Sequence, residues 1–231
     1  MTMAPNTSLA LPDLAGALVV SCQAPKSSPL RTPSMIAALA EAALLGGAAG
    51  IRVNGPHDVA AVRAITDRPI IGLHKVAGAR RNIITPTLDL ARGLVEAGAT
   101  IVALDATTEA LGEDFSLVTD VIDSLGCLVM ADTSTVDEAL RAIDHGAHLV
   151  GTTLSGYTPE TLSSDDAPDL RLVEALSSRG MRVVAEGRYR TPAQVSAAFD
   201  AGAWCVVVGG AITDPLSTTQ RFTAATPRLR E

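Results

Sequence analysis

Gln23, Arg52, Lys75, Asp105, Asp132 and Glu186 are of types that move protons or bind anions, and each stands at or near the C-terminal end of a short apolar run. Side chains alternate across a strand. If Lys75 faces inward, so do Leu73 and Ile71, and His74 faces away. On the same rule Ser21 precedes Gln23, Gly50 precedes Arg52, Ala103 precedes Asp105, Met130 precedes Asp132 and Val184 precedes Glu186. Each polar tip therefore stands on a small or mostly apolar strand face. A Lys, a Glu and an Asp on separate strands suit proton transfer at carbon, with one group as base and another as acid. Arg, Gln and backbone N–H groups would stabilise the oxyanion that develops. The same set suits a Schiff-base aldolase or lyase working through Lys75, although a nearby Glu186 would hold the lysine charged. A non-catalytic sugar-phosphate-binding sensor is a third reading. The four histidines (57, 74, 145 and 148) are scattered, and no metal-ligand spacing or Ser/His/Asp arrangement occurs.

Two glycine elements add a binding chemistry. Val183-Val184-Ala185 runs into Glu186-Gly187-Arg188, and Cys205-Val206-Val207-Val208 runs into Gly209-Gly210. Backbone N–H groups at such strand-to-helix turns make an anion site. The loops after the last two strands of a (β/α)8 barrel commonly hold phosphate. The expected ligand has its phosphate at Gly187, Gly209 and Gly210 and its sugar end towards Glu186. A plain tight turn is the other reading of Gly209-Gly210.

The elements that must carry these residues follow from periodicity. Apolar runs occur at 17–23, 50–54, 69–75, 100–105, 127–132, 148–153, 182–188 and 204–210, and segments of helical period separate most of them. Strands alternating with helices of ten to fifteen residues mean βαβ units and a parallel sheet. Eight units fit a closed α/β barrel, the (β/α)8 or TIM barrel, as a single domain over residues 16–226. A loose N-terminal arm over 1–15 and a tail over 227–231 flank it. Gly47-Ala48, Gly98-Ala99, Gly146-Ala147 and Gly202-Ala203 recur before every second strand, as left-handed helix ends. The one long loop, Leu154–Asp169, follows the sixth strand and should overlie the catalytic face.

Composition agrees. Of 231 residues, 47% are hydrophobic and only 3% aromatic, so Val, Ile, Leu and Ala must fill the core. The net charge of −7, from 18 basic and 25 acidic residues, argues against a nucleic-acid surface. Cys22, Cys127 and Cys205 each lie in an apolar run and read as reduced core thiols. Val19-Val20-Ser21-Cys22 mimics a lipoprotein cleavage site, but no Lys or Arg precedes Lys26 and Pro5, Pro12 and Asp13 break the leader. No apolar run reaches the roughly 18 residues of a membrane span.

From Leu18 to Phe222 the residues resemble one family, N-acetylmannosamine-6-phosphate 2-epimerase. The matching segments include Leu18–Ala24, Gly50–Gly55, Ile84–Thr87, Ala103–Thr107, Met130–Thr135, Gly151–Thr158, Ala185–Arg188 and Val207–Thr213. The Gly-Thr-Thr-Leu-Ser-Gly-Tyr-Thr tract is the most specific. The resemblance implies a cytoplasmic enzyme of amino-sugar (sialic acid) catabolism. It would interconvert N-acetylmannosamine 6-phosphate and N-acetylglucosamine 6-phosphate without metal or redox cofactor, as a possible homodimer. It implies Lys75 as the residue that removes and returns the C2 proton and Glu186 as its partner. Gln23, Arg52 and Asp132 would be sugar contacts, and Gly187, Gly209 and Gly210 the phosphate cradle. Departures from the family pattern are Val76-Ala77-Gly78 after the lysine, Thr108-Glu109-Ala110-Leu111, and Asp214 where Arg is common. The last leaves Arg188 as the cation expected at the phosphate.

Overall fold

Ten strands form. In chain order they are β1 (Leu18–Cys22), β2 (Gly50–Asn54), β3 (Ile70–Leu73), β4 (Lys75–Ala77), β5 (Asn82–Ile84), β6 (Ile101–Asp105), β7 (Leu128–Asp132), β8 (Leu149–Gly151), β9 (Val183–Ala185) and β10 (Cys205–Val208). The structure is a computed structural model that describes residues 10–25 and 27–227. Eight strands close a parallel barrel in the order β1-β10-β9-β8-β7-β6-β3-β2, with β2 returning to β1. All eight expected runs are barrel strands, and the expected single-domain (β/α)8 barrel is the fold. The third run differs: the barrel strand stops at Leu73, and Lys75 opens an antiparallel hairpin, β4–β5, with Lys75 opposite Ile84.

Helices fill the connections: α1 (Pro33–Leu45), α2 (Pro56–Arg63), α3 (Leu88–Glu96), α4 (Thr108–Leu111), α5 (Ser116–Leu125), α6 (Val136–Asp144), α7 (Leu170–Ser177), α8 (Pro192–Asp200), α9 (Gly210–Thr213) and α10 (Pro215–Thr223). Local chemistry sets their ends. Thr32, Thr87, Thr107, Thr135 and Thr191 each cap a helix start, the hydroxyl accepting an N–H of the first turn. Such a cap is worth about 1 kcal/mol. The four recurring glycines close helices at φ between +93° and +102°, and the alanine after each donates five residues back, as from Ala48 to Ala43. That pattern is a Schellman end.

The barrel interior is filled by alternate residues: Val19, Ile71, Ile101, Leu128, Leu149 and Cys205 are all buried there. Leu14 is fully buried against the same cluster, and Gly16 donates to the Trp204 carbonyl. Leu11 and Leu14, expected in the loose arm, thus pack against the barrel interior, because the floor of a closed barrel is apolar and needs a cover, while Ala10, Asp13 and Ala15 stay exposed. Residues 1–9 of that arm and 228–231 of the expected tail lie outside the described residues. No helix among the described residues is long and apolar enough to cross a membrane.

Candidate active site

The alternation that fills the barrel ends, at the C-terminal rim, in a polar layer. Arg52 on β2 and Asp132 on β7 are almost wholly buried and face each other across it. Arg52 Nη2 donates to Asp132 Oδ2 at 2.6 Å and Nη1 to Oδ1 at 3.2 Å. Nη1 also donates to Glu186 Oε2, just beyond β9. The Thr153 hydroxyl, just beyond β8, stands 2.6 Å from Asp132 Oδ1 and 3.1 Å from Glu186 Oε2. Its single proton goes to the nearer oxygen. Gly151 on β8 makes the space: a Cβ there would lie 2.8 Å from Asp132 Oδ1 and 2.5 Å from the Met130 methyl. Burial pushes the Asp132 pKa above the usual carboxylate value, and the Arg52 charge and the Thr153 hydroxyl pull it back. Arg52 Nε finds no acceptor among the described residues.

Above this layer lies a cleft. One part, of about 870 Å³, is lined by Lys75, Glu186, Gly187, Arg188, Gly209 and Gly210 among others, and the second, of about 520 Å³, by Gln23, Asn54, Lys75, Glu186, Gly209 and Gly210. Lys75 and Glu186 border both parts. Lys75 is open to the cleft solvent yet crowded by protein on its other sides. That partial desolvation, then the Arg52 charge, lowers its pKa to about 8, against a weaker opposing pull from Asp132. Its Nζ donates to Gln23 Oε1 at 2.7 Å, and Gln23 Nε2 donates to Ser21 Oγ at 2.8 Å. Among the described residues the lysine makes no salt bridge.

The far end of the cleft is the glycine end. Gly187 has φ +105°, a left-handed conformation that leaves the backbone open to a ligand. Gly210 and Ala211 begin α9, where amide groups lack intrahelical acceptors. Arg188 lines this end, but its Nε and Nη1 donate to the Ala167 and Ser155 carbonyls of the long loop, at 2.6 and 2.7 Å. The loop therefore does border the cleft. Asp214 caps α10 through Ser217 N and Oγ while bordering both parts of the cleft, and Arg221, further along α10, lines the larger part with it.

Sequence reasoning brings Gln23, Lys75, Glu186, Gly187, Arg188, Gly209 and Gly210 to one cleft, and the structure places them so. Arg52 and Asp132 differ. Neither lines the cleft, because both side chains sit one layer deeper and spend their hydrogen-bonding groups on each other, Thr153 and Glu186. Asp105 is taken up by Arg81 of the hairpin, at 2.5 and 3.2 Å. Thr153, Arg81, Asn54 and Arg221 went unread. Thr153 and Asn54 left a signal, each two residues beyond an inward position, Gly151 and Arg52.

Residues 36–228 match the family described as "Putative N-acetylmannosamine-6-phosphate epimerase". The chain belongs to that family. It is 46% identical over 199 residues to the "Putative N-acetylmannosamine-6-phosphate 2-epimerase" of Klebsiella pneumoniae subsp. pneumoniae, covering 86% of this chain and 84% of that one. A relative of the same name from Photobacterium profundum is 42% identical over 205 residues, 88% and 86% of the two chains. The solved N-acetylmannosamine-6-phosphate 2-epimerase from Clostridium perfringens superposes with a TM-score of 0.85 at 38% identity, over 92% of this chain and 94% of that one.

Proposed function

We propose that this chain is a carbohydrate 2-epimerase that interconverts N-acetylmannosamine 6-phosphate and N-acetylglucosamine 6-phosphate, in the cytoplasm, within amino-sugar (sialic acid) catabolism. The observation that carries the reading is a lysine with a lowered pKa and an anchored carboxylate bordering one cleft that ends in glycine turns. The C2 hydrogen is acidic only beside a carbonyl whose developing charge is stabilised. Neutral Lys75 takes that proton and becomes an ammonium, and the electron pair moves towards O1. Returning a proton to the opposite face inverts C2. Glu186 is the partner group for that exchange, and Gln23, already bonded to Lys75, contacts the sugar. Arg52 and Asp132 act from beneath by fixing Glu186. Gly187, Gly209 and Gly210 hold the phosphate with Arg188, and the chemistry asks for no metal or redox cofactor.

The test is solvent exchange. Incubated with either sugar phosphate in deuterated buffer containing a chelator, the protein should introduce deuterium at C2 and yield both epimers. Folded protein that exchanges nothing refutes the proposal. The lowered Lys75 pKa also suits a Schiff base. Borohydride trapping of a covalent adduct at Lys75 would establish that chemistry instead. A homodimer fits the C-terminal helix α10, which has no buried side chain and leaves Phe222 74% exposed. Light scattering should return twice the 23.7 kDa chain mass. The net charge of −7 supports a small-molecule partner over nucleic acid.

A further inference from the structure

Thr85 is a β-branched residue, followed by Pro86, with φ of +49°. Left-handed backbone is an outlier for a β-branched side chain, and the position before a proline is pushed towards extended conformations. Thr85 is also fully buried. Strain of this kind persists only where the surroundings over-determine it, and it gathers at functional sites.

What the strain accomplishes is visible in the hairpin. The ladder pairs Lys75 with Ile84, Val76 with Ile83 and Ala77 with Asn82. The next pair, His74 and Thr85, is bonded otherwise. Thr85 N donates to the His74 carbonyl at 2.8 Å, but His74 N donates to the Thr85 hydroxyl, at 2.9 Å, in place of a backbone carbonyl. The left-handed turn breaks the ladder here, and the side chain supplies the missing acceptor. His74 directly precedes Lys75, whose own amide donates to Asn54 Oδ1 at 2.8 Å. At the hairpin's turn Arg81 donates to Asp105, Thr107 and Glu109, and Ile84 N, opposite Lys75, donates to Asp105 Oδ2. The ribbon that carries the lysine is thus fastened at both ends to the barrel rim.

We infer that Thr85 is a positioning residue for Lys75: its hydroxyl and strained backbone fix where the lysine leaves the barrel and how its amine enters the cleft. The inference rests on the reading of Lys75 as the proton-transfer group. The lowered pKa of that lysine agrees with a fixed placement, because a slack hairpin would release the amine to water.

The experiment compares Thr85→Val, which keeps the shape and removes the acceptor, with Thr85→Ser, which keeps the acceptor. Each is assayed for kcat, KM and their pH dependence with N-acetylmannosamine 6-phosphate, and Lys75 is titrated separately by competitive acylation without substrate. Thr85→Val should lose about 100-fold in kcat, the order expected for a displacement of about 1 Å, with KM within about threefold. The Lys75 titration should rise from about 8 towards the ordinary lysine value. Thr85→Ser should stay within about threefold of the parent in kcat and keep the parent titration. Asn54→Ala, which removes the other anchor, should move kcat and titration the same way and serves if Thr85→Val fails to fold. Parent-like kcat and titration in Thr85→Val, or equal defects in Val and Ser, overturn the inference. Lys75→Ala separates the two claims. Retained exchange there overturns the catalytic reading, while the acylation titration still decides whether Thr85 positions the lysine.

Discussion

Arg52→Met tests the polar layer beneath the cleft. Arg52 is the only cation bonded to Asp132 among the described residues, through contacts of 2.6 and 3.2 Å, and both side chains are essentially out of water. Removing one partner of such a pair leaves an uncompensated buried charge, at a cost of about 3–5 kcal/mol. A typical domain has only about 5–15 kcal/mol in total. At about 2–4 °C per kcal/mol for a chain of this size, the melting temperature should fall by about 6–20 °C. The decisive partner experiment is Arg52→Met combined with Asp132→Leu. Replacing a whole buried pair by apolar side chains is often neutral or stabilising, so the double variant should recover most of the loss. Part will remain, because the Thr153 hydroxyl and Glu186 lose partners too. Urea unfolding measures both variants, and C2 exchange measures function. Neither variant should turn over, since Glu186 has lost its anchor in both. A single variant within about 1 kcal/mol of the parent would refute the reasoning, as would a double variant no more stable than the single one.

The remaining expectations concern protonation, phosphate and the barrel floor. Lys75 must be neutral to accept a proton, and its lowered pKa means that the neutral form accumulates as pH rises through about 8. The parent's kcat/KM should therefore climb with unit slope below about pH 8 and level above it; a break near the free-lysine value of about 10.4 would contradict the placement. Arg188→Ala should raise KM for the 6-phosphate about 10- to 100-fold, the worth of one charge-assisted hydrogen bond, with a smaller effect on kcat. Steady-state kinetics should show little change for the unphosphorylated sugar. Leu14→Ala should cost about 2–5 kcal/mol in urea unfolding if the segment before β1 closes the barrel, against almost nothing if residues 10–15 were a loose arm.

Alternation made most of the site readable. The period of two along Ile71, Leu73 and Lys75 predicts an inward lysine, and this holds although the barrel strand ends at Leu73. The hairpin escapes such a reading because Val76–Arg81 has no period and β4 and β5 are three residues each. Arg81 escapes for another reason. Its meaning lies in Asp105, 24 residues away, and nothing local marks either residue as the other's partner. Alternation turns Arg52 and Asp132 inward, but a strand pattern gives a face and not a depth. Their layer is fixed only by register, which sets Arg52 opposite Ser21 on one side and Ile71 on the other. Thr153 is harder to read because a strand ending in a hydroxyl stands out less than strands ending in charges.

The sequence raised an objection that the geometry answers. A carboxylate close to Lys75 should hold the lysine charged and spoil it as a base. In the structure Glu186 gives its charge to Arg52, while Lys75 bonds to the neutral amide oxygen of Gln23. Arg52 thereby acts twice and in one direction. It engages the carboxylate that would raise the lysine's proton affinity, and its own positive charge lowers that affinity directly. The layer is an expensive way to floor a cleft, with a buried arginine Nε left unpaired among the described residues and the Asp132 carboxylate kept from water. Apolar side chains would fill that volume at no such cost. What they could not do is present a fixed carboxylate to the cleft while leaving the neighbouring lysine free to lose its proton near neutrality.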